Sequence, residues 1–277
     1  MSHLRSFTNF ALNLRRGPLN LNPITAREKL ITELQVRYRT YYVEFDVNEG
    51  AVMLPKLFSA DFRNEIYRFA NLIDSKGNQF EVLVEIINNH VYLTHGWFSL
   101  RDFYNIEVGA WAIMLYSGLG KFAIIVTDRL GELIEPPTFV PPMKFKLEKS
   151  RVGSQFVNDL PEDTDLLSYC HEVGLNALTY EKNLTYYDIN TGFLMISYED
   201  FGASAFDKEM TTLRIVDDCG NLWNCILIYG SFSYKHFKIG GEWKRMVAAR
   251  RIVVGDRIKL QCDRHGRDEF IFLTLDR

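Results

Sequence analysis

The chain has 277 residues, which is long enough for two domains of ordinary size, and its apolar content of 47% is typical of a folded protein with a buried core. A net charge of −3 argues against the strong positive field that many nucleic-acid-binding proteins carry, and no apolar run approaches the roughly 20 residues of a membrane span. Four scattered cysteines fit a reducing compartment, and an aromatic content of 14% favours β structure.

The N-terminal segment, residues 1–35, is expected to be a flexible leader. It lacks the uninterrupted apolar stretch of a secretory signal. It carries Arg5, Arg15 and Arg16 before its first acidic residue, Glu28, which gives it a weak similarity to a transit peptide. Import into an organelle is therefore an alternative to a leader without a targeting role.

A first domain is predicted over residues 36–130, and its sequence is typical of short strands. The segment "QFEVLVEII" at 79–87 alternates, with Glu81 and Glu85 on one side and apolar residues on the other. Helical spacing is confined to the stretch "FSLRDFYN" at 98–105. Many short strands with little helix indicate a small barrel.

A linker is predicted over residues 131–179, because two Pro-Pro pairs are followed by residues of mixed charge. A second domain is predicted over residues 180–277 and is again typical of short strands. Its segment "DRIKLQC" at 256–262 alternates between polar and apolar residues, and its helical spacing is confined to "KRMVAARR" at 244–251.

The two domains repeat the same order of motifs. The turn "IDSKGNQF" at 73–80 corresponds to "VDDCGNLW" at 216–223, which lies 143 residues later, whereas Trp97 corresponds to Trp243 at an offset of 146. Both domains then end in an apolar strand followed by Asp-Arg. A turn shared by chance would not be followed by further matching motifs in the same order, so the chain contains an internal repeat. The change of offset from 143 to 146 needs only a short loop insertion.

The order of these motifs resembles the plant B3 DNA-binding domain. The motifs that carry the resemblance are a proline-lysine segment ("MLPKLFSADF", 53–62), a strand that starts at Asp-x-x-Gly-Asn-x-Trp (217–223), a Gly-Trp before a short helix, and a Val-Gly-Asp turn. Two tandem copies are similar to the arrangement in the reproductive-meristem branch of that family. This chain departs from the pattern at Ala110, in place of the Asp of the turn, and at Ile196-Ser197, in place of Pro-Lys.

This resemblance implies a mainly β fold with two B3-like, seven-stranded open β-barrels (pseudobarrels), each with short helices, joined by the Pro-rich linker. It also implies a plant transcription regulator of the nucleus, in which two loops, called arms, enter the DNA major groove. The arms correspond to the loop before the proline-lysine segment and to the strand before the Gly-Trp. Double-stranded DNA is then the main partner, and other transcription regulators are a second class of partner.

In the second barrel, alternation along the strand before Trp243 places Tyr234, His236 and Lys238 on an exposed face, with Phe237 and Ile239 in the core. An ordinary solvated strand face is the alternative to a DNA contact. The residues of the second barrel that we expect to contact DNA are Asn190, Thr191, Ser197, Tyr198, Tyr234, Lys235, His236, Lys238, Lys244 and Arg245.

The first barrel has fewer cations for the phosphates that supply most of the affinity for DNA. Residues 36–130 contain nine Lys and Arg against eleven Asp and Glu, whereas residues 180–277 contain fourteen of each. We therefore predict that the second barrel binds DNA more tightly and that the first is kept for architecture or protein contacts. The candidate DNA-binding residues of the first barrel are Asn48, Lys56, Asn88, Asn89, His90 and Tyr92.

Four conspicuous side chains have structural roles in this interpretation. Trp97 and Trp243 are expected in the cores beside the short helices rather than stacked on bases. Asp74 and Asp217 precede Gly-Asn, so we expect them to cap their own turns rather than to act as catalytic carboxylates.

A zinc site built from Cys219, Cys225, Cys262 and His265 is an alternative that the internal repeat disfavours. The first copy has Lys76 and Val82 at the positions of the first two cysteines, so the fold does not need these ligands. No metal and no cofactor are expected.

No P-loop, nucleophile elbow, zincin motif or dinucleotide-binding fingerprint occurs in the chain, so no enzymatic activity is expected. The sequence therefore predicts a DNA-binding transcription regulator without a membrane partner. The alternative is a protein-interaction or chromatin scaffold that keeps the barrel but has little affinity for DNA.

Overall fold

The computed structural model describes residues 5–9, 11–12, 23–149, 177–262 and 270–277. These residues form two compact units, of which the first ends at Phe145 and the second begins at Lys146. Among the described residues, no helix is both long and apolar enough to cross a membrane.

Within its described part, the first unit is helical at residues 5–9 and 11–12, and from Ala26 onward it has seven principal strands, one accessory strand and three helices. In chain order they are α1 (Ala26–Arg39), β1 (Thr40–Glu44), β2 (Val52–Met53), α2 (Lys56–Phe62), β3 (Phe69–Ile73), β4 (Gln79–Ile87), β5 (His90–Leu93), α3 (Ser99–Tyr104), β6 (Trp111–Gly118), β7 (Lys121–Thr127) and β8 (Lys144–Phe145).

The second unit also has seven strands. In chain order its elements are β9 (Leu178–Asn183), α4 (Tyr186–Asn190), β10 (Leu194–Ser197), a π-helical turn (Tyr198–Gly202), α5 (Ala203–Ala205), β11 (Thr212–Asp217), β12 (Leu222–Gly230), β13 (His236–Gly241), α6 (Trp243–Ala249), β14 (Arg257–Cys262) and β15 (Phe270–Asp276).

Each unit folds its strands into one curled, barrel-like sheet, and the two sheets have the same topology. The order is β1-β6-β7-β3-β4-β5-β2 in the first barrel and β9-β14-β15-β11-β12-β13-β10 in the second, so every strand has a counterpart. Neighbours are antiparallel except for the pairs β3–β7 and β11–β15, which are parallel in both barrels, and β8, which adds to β4 in parallel. The prediction of a mainly β fold with two seven-stranded barrels is confirmed.

The loop between the fourth and fifth strands accounts for the change of offset between the two copies. In the first barrel Asn88 and Asn89 alone connect β4 to β5, whereas the five residues Ser231–Lys235 connect β12 to β13. Residues that close the two hairpins pair in the same way, Ile87 with His90 and Gly230 with His236. The second barrel therefore has a three-residue insertion at this one loop.

The buried residues follow the alternation that the sequence predicts. Phe80, Val82 and Val84 of β4 point into the first barrel, and Ile258 and Leu260 of β14 point into the second. Each core also contains its tryptophan as predicted, with Trp97 directly before α3 and Trp243 at the first residue of α6, both fully buried. Burial of these large aromatic side chains is a main source of stability for each barrel.

The two turn aspartates cap their own turns, as predicted. Asp74 Oδ1 accepts hydrogen bonds from the amides of Lys76 and Asn78 at 2.8 and 2.9 Å. Asp217 Oδ1 accepts hydrogen bonds from the amides of Cys219 and Asn221, both at 2.9 Å. Because both carboxylates are buried and saturated with donors, neither is available for catalysis.

Part of the segment expected to be a flexible leader forms a helix, whereas residues 1–4, 10 and 13–22 of it lie outside the described residues. Thr25 and Glu28 form a capping box at the start of α1, with the Glu28 amide donating to Thr25 Oγ1 at 3.1 Å. Val36 is buried with Phe7 against Ile113 of β6. The Thr25-x-x-Glu28 spacing is a local signal for the start of this helix that the sequence analysis did not use, whereas the apolar contact of Val36 with Phe7 and Ile113 has no local signal.

Part of the predicted linker is also ordered by strand pairing. In the first unit, Met143 accepts a hydrogen bond from the Gln79 amide and donates its own amide to Asn78 Oδ1, both at 2.9 Å. In the second unit, the Leu222 amide donates to the Lys146 carbonyl at 2.7 Å. The remainder of the linker, from residue 150 to residue 176, lies outside the described residues.

Candidate nucleic-acid interface

The loop Ser231–Lys235, which we call the long arm, projects from the hairpin β12–β13 of the second barrel. All five of its residues are exposed, with Phe232 90% and Tyr234 60% accessible to solvent. The base of the arm is fixed, because the Tyr198 amide donates to the Lys235 carbonyl at 3.1 Å and His236 Nδ1 lies 2.9 Å from the Tyr234 carbonyl. The predicted exposure of Tyr234 is confirmed, and Lys235, which strand alternation assigns to the opposite face with Phe237 and Ile239, is exposed as well because it lies in the loop.

Two lysine ammonium groups meet over a tyrosine ring beside the long arm. Lys235 Nζ lies 5.7 Å from the centre of the Tyr198 ring, and Lys208 Nζ lies 5.2 Å from it and 5.3 Å from that of Tyr229. Tyr198 is held in place by edge contact with Tyr229 and by stacking on the buried Phe237. We call these four residues, Tyr198, Lys208, Tyr229 and Lys235, the lysine–tyrosine cluster.

The charge of this cluster is not neutralised within the described residues, where neither Lys208 nor Lys235 forms an ion pair with a carboxylate. Cation–π contact with tyrosine holds an ammonium group in place while its N–H donors stay free to bind an anion. Two exposed lysines near the same tyrosine ring can each contact a phosphate oxygen of a polyanion.

A second part of the candidate interface is the connection between β9 and β10, whose backbone is held in place by hydrogen bonds to the buried Asp188. The buried Asp188 carboxylate accepts hydrogen bonds from Lys182 Nζ at 2.7 Å and from the amides of Thr185 and Met195, both at 2.9 Å. The indole of Trp243 donates to the Asp188 carbonyl at 2.8 Å. Burial by itself raises the pKa of Asp188, but the hydrogen bonds from these donors outweigh it and lower the pKa of that carboxyl below its ordinary value.

The predicted residues of this connection are exposed at the end of α4. Asn190 Nδ2 donates to the Tyr186 carbonyl at 3.0 Å, and Thr191 Oγ1 donates to the Tyr187 carbonyl at 2.8 Å. Both side chains therefore donate hydrogen bonds to carbonyl groups at the end of their own helix. The second N–H and the carbonyl oxygen of the Asn190 side chain and the hydroxyl oxygen of Thr191 remain to face a ligand.

Three predicted cations lie outside the lysine–tyrosine cluster. Lys238 is half-buried on the outward face of β13, where it pairs with Met195 and Ile228. Lys244 is exposed in the first turn of α6, and Arg245 beside it is half-buried. The structure thus groups Tyr198 and Lys235 but places Lys238, Lys244 and Arg245 on other parts of the barrel surface.

The predicted exposure of His236 is wrong. Its side chain is only 8% exposed, because the ring lies over Gly230, the residue paired with it across the hairpin. A Cβ atom at Gly230 would lie 2.6 Å from His236 Nε2, so the ring fills the space that a side chain would need. Ser197, which pairs with His236 on the other side, is exposed as expected at the end of β10.

The corresponding loop of the first barrel, Asn88–Asn89, is short. Both residues are exposed and have positive φ angles of 48° and 64°, the conformation that a two-residue type I′ hairpin turn requires and that asparagine tolerates. His90 and Tyr92 of β5 are both half-buried, and Tyr92 pairs with Met53 of β2. No lysine or arginine lies in this hairpin end.

The other two candidates of the first barrel lie on the connections around β2. Asn48 is exposed, and its amide donates to Asp46 Oδ1 at 2.8 Å. Lys56 is exposed at the first residue of α2, a helix tied to β5 by a hydrogen bond from the Val91 amide to Ser59 Oγ at 3.0 Å. Lys56 is therefore the one candidate cation of the first barrel.

Three residues of the long-arm region were missed in the sequence. Lys208 lies in the connection before β11, and Tyr229 lies two residues before the arm on β12, but neither carries a local motif that links it to Tyr198. Only the closure of the barrel brings both residues to Tyr198. Phe232 does have a signal, since a large aromatic between two serines in "GSFSYK" fits neither the strand alternation nor a polar loop.

The described residues contain one group with the composition of a metal site, namely Asp217, Asp218 and Cys219. The guanidinium of Arg250 already contacts both carboxylates, Asp217 Oδ2 and Asp218 Oδ1, each at 2.7 Å. This ion pair and the turn amides use the ligand atoms for protein contacts. Burial also raises the pKa of the Cys225 thiol to about 12, and His265 lies outside the described residues.

Comparison with known proteins gives one sequence relative. A protein of Oryza sativa subsp. japonica described as containing a B3 domain is 30% identical over 78 residues, which are 28% of this chain. The match spans only 8% of the length of that protein. No protein-family profile matches the chain.

Solved structures with a similar fold each cover about a third of the chain. The Arabidopsis LEC2–DNA complex is 18% identical over 38% of this chain and 96% of its own, with a TM-score of 0.31. The Arabidopsis FUS3–DNA complex is 17% identical over 36% of this chain and 97% of its own, with a TM-score of 0.30. A hypothetical Arabidopsis thaliana protein is 21% identical over 32% of this chain and 89% of its own, also with a TM-score of 0.30.

Proposed function

We propose that the chain is a sequence-specific DNA-binding transcription regulator with two tandem B3-like barrels, and that the second barrel is the stronger binder. The repeated order of B3-like motifs, the identical strand order of the two barrels and the rice relative support this proposal. Double-stranded DNA is the partner and the nucleus the place of action. The protein acts by binding rather than by catalysis, other transcription regulators are a second class of partner, and the tandem arrangement resembles that of the reproductive-meristem branch.

The observation that carries the proposal is the lysine–tyrosine cluster beside the long arm. Its two ammonium groups have no carboxylate partner within the described residues, and they lie at the base of an exposed two-stranded hairpin. A two-stranded ribbon fits the DNA major groove, and ammonium groups at its base then reach the flanking phosphates.

The proposed difference in DNA affinity between the two barrels rests on a comparison of the residues at equivalent positions. The residue 143 positions before Lys208 is Glu65, and the residues 146 positions before Lys235 and Lys238 are Asn89 and Tyr92. Each of these three lysines of the second barrel thus corresponds to a neutral or acidic side chain in the first. A barrel that lacks these phosphate contacts loses most of the sequence-independent part of its affinity.

The test is selection from a random pool of duplex DNA with the full chain, followed by titration of the enriched site at several salt concentrations. We expect an enriched motif and an affinity that falls steeply as the salt concentration rises. The same titration with Lys208→Met and Lys235→Met should show weaker binding to all sequences, because phosphate contacts carry no sequence information. Lys121→Met, an exposed lysine of the first barrel, is the matched control and should leave binding unchanged.

The scaffold alternative is favoured by one observation in the first barrel. Leu30, Leu34 and Tyr38 are exposed on the face of α1 opposite the buried Val36, which is a surface suited to protein contact. If selection enriches no motif and binding stays weak even at low salt, the protein is a scaffold and this helix is the first place to look for its partner.

A further inference from the structure

The side chain of Phe232, at the tip of the long arm, does not pack against the barrel. It is 90% exposed, and within the described residues it makes no ring contact, whereas its neighbour Tyr234 packs back on His236 with ring centres 4.9 Å apart. Exposure of a single apolar side chain does not by itself indicate a function. Phe232 differs in its position, because it lies at the tip of an inserted loop beside two lysines that have no carboxylate partner within the described residues.

The backbone holds Phe232 in a tight turn. The Tyr234 amide donates to the Phe232 carbonyl at 2.9 Å, and Ser233 between them has a positive φ of 65°. This three-residue turn is a strained conformation for a residue other than glycine, and such strain is concentrated at functional sites. An aromatic side chain on a constrained turn also loses little conformational entropy when it binds.

The insertion that contains Phe232 is specific to the second barrel. The first barrel closes the same hairpin with Asn88–Asn89 and has no aromatic residue at that turn. The three extra residues are not needed to form the hairpin, since Gly230 and His236 pair as Ile87 and His90 do. The insertion therefore adds a feature to the surface and not to the fold.

We propose that Phe232 reads a thymine by van der Waals contact with its C5-methyl group in the major groove. This inference rests on the proposed DNA-binding function and adds one base preference to it. A phenyl ring has no hydrogen-bond donor or acceptor, and the thymine methyl is the distinctive apolar group on the major-groove edges of the bases. The lysine–tyrosine cluster at the base of the arm positions the tip through the phosphates on either side.

The experiment replaces each thymine of the selected site in turn by deoxyuridine, which removes only the methyl group, and measures binding of the full chain by anisotropy. At one position we expect the wild-type protein to bind about fourfold more weakly, the effect of removing one apolar carbon from the contact. With Phe232→Ala, thymine and deoxyuridine at that position should bind equally well. Tyr67→Ala, which removes an exposed aromatic ring of the first barrel that is not a candidate DNA-binding residue, is the matched control and should keep the fourfold preference.

Four results would overturn the inference. If no thymine is sensitive to the loss of its methyl group, or if Phe232→Ala keeps the sensitivity, Phe232 does not read a methyl. If Phe232→Ala instead abolishes a DNA bend measured by fluorescence energy transfer, the ring is a wedge between base pairs. If wild-type protein binds no duplex even at low salt, the proposed function fails as well, and the absence of binding distinguishes that outcome from the first two.

Discussion

At the scale of single residues, the two barrels hold the same buried aspartate with different partners. Asp74 Oδ2 accepts a hydrogen bond from the Tyr104 hydroxyl at 2.9 Å, whereas Asp217 Oδ2 forms an ion pair with Arg250 at 2.7 Å. Tyr104 and Arg250 are equivalent at the offset of 146. The neutral Tyr104 hydroxyl and the charged Arg250 guanidinium thus bind the equivalent aspartates of the two turns. Only the guanidinium also forms an ion pair with a second carboxylate, that of Asp218.

Removal of the Arg250 side-chain charge should destabilise the second barrel strongly. Arg250→Met leaves the buried Asp217 carboxylate without its cation, and breaking a buried pair in this way costs about 3–5 kcal/mol. Lys244→Met, which removes an exposed cation from the same helix region, should change the free energy of unfolding by less than about 0.5 kcal/mol. Urea unfolding of the full chain, with hydrogen exchange of the β11 amides to locate the change, measures both.

The carboxyl of Asp188 should make the second barrel sensitive to acid. Because its pKa is lower in the folded chain than in the unfolded chain, it stabilises the fold above its unfolded pKa, and this stabilisation is lost as the pH falls through the folded pKa. Asp188→Asn should be less stable at neutral pH by about 3 kcal/mol, since Lys182 loses its charged partner. The difference between wild type and variant should shrink as the pH is lowered below 4 in chemical unfolding experiments; a difference that stays constant would show that Asp188 is not the titrating group.

At the scale of elements, the hairpin end distinguishes the two barrels more than any strand does. The strands that lead into it keep the same pairing, but one hairpin ends in a two-residue turn and the other in a five-residue loop. Loops tolerate such insertions because their backbone is solvated and their closure entropy grows slowly with length. The insertion could therefore be acquired without cost to the barrel.

Exchange of the two hairpin ends should separate folding from binding. Replacement of Ser231–Lys235 by Asn-Asn should leave the stability of the second barrel nearly unchanged, because Gly230 and His236 can pair across a two-residue turn. DNA affinity should fall by at least about tenfold, since Lys235 and Phe232 are removed together. The reciprocal insertion in place of Asn88–Asn89 should bring no gain, because the first barrel has Glu65 in place of Lys208; a gain there would contradict the role of the cluster.

At the scale of the whole molecule, a net charge of −3 means that any affinity for DNA depends on a local group of cations. If the two lysines of the lysine–tyrosine cluster, Lys208 and Lys235, each neutralise one phosphate, the logarithm of the binding constant should fall with the logarithm of salt concentration at a slope of about −2. Lys235→Met should make the slope shallower by about 1. A slope near zero in the wild-type protein would favour the scaffold.

The local features of this protein were predictable because they depend on residues a few positions apart. Strand alternation in 79–87, the capping of their turns by Asp74 and Asp217, and the repeated order of motifs need no knowledge of distant contacts. The resemblance carried by these motifs led to the barrel topology and to the long arm. By itself, then, the sequence determined the strands, the turns and their duplication.

The tertiary structure alone decided which of these residues share a surface. Lys208 and Lys235 lie 27 positions apart and meet only because the sheet closes around Tyr198 and Tyr229. His236 follows the alternation for an outward residue, yet its ring is covered by lying over Gly230. Contacts of this kind join side chains from different strands. Their geometry depends on the curl of the sheet and on which neighbouring residue is a glycine. Neither property follows a periodic pattern in the sequence, so neither could be predicted from it.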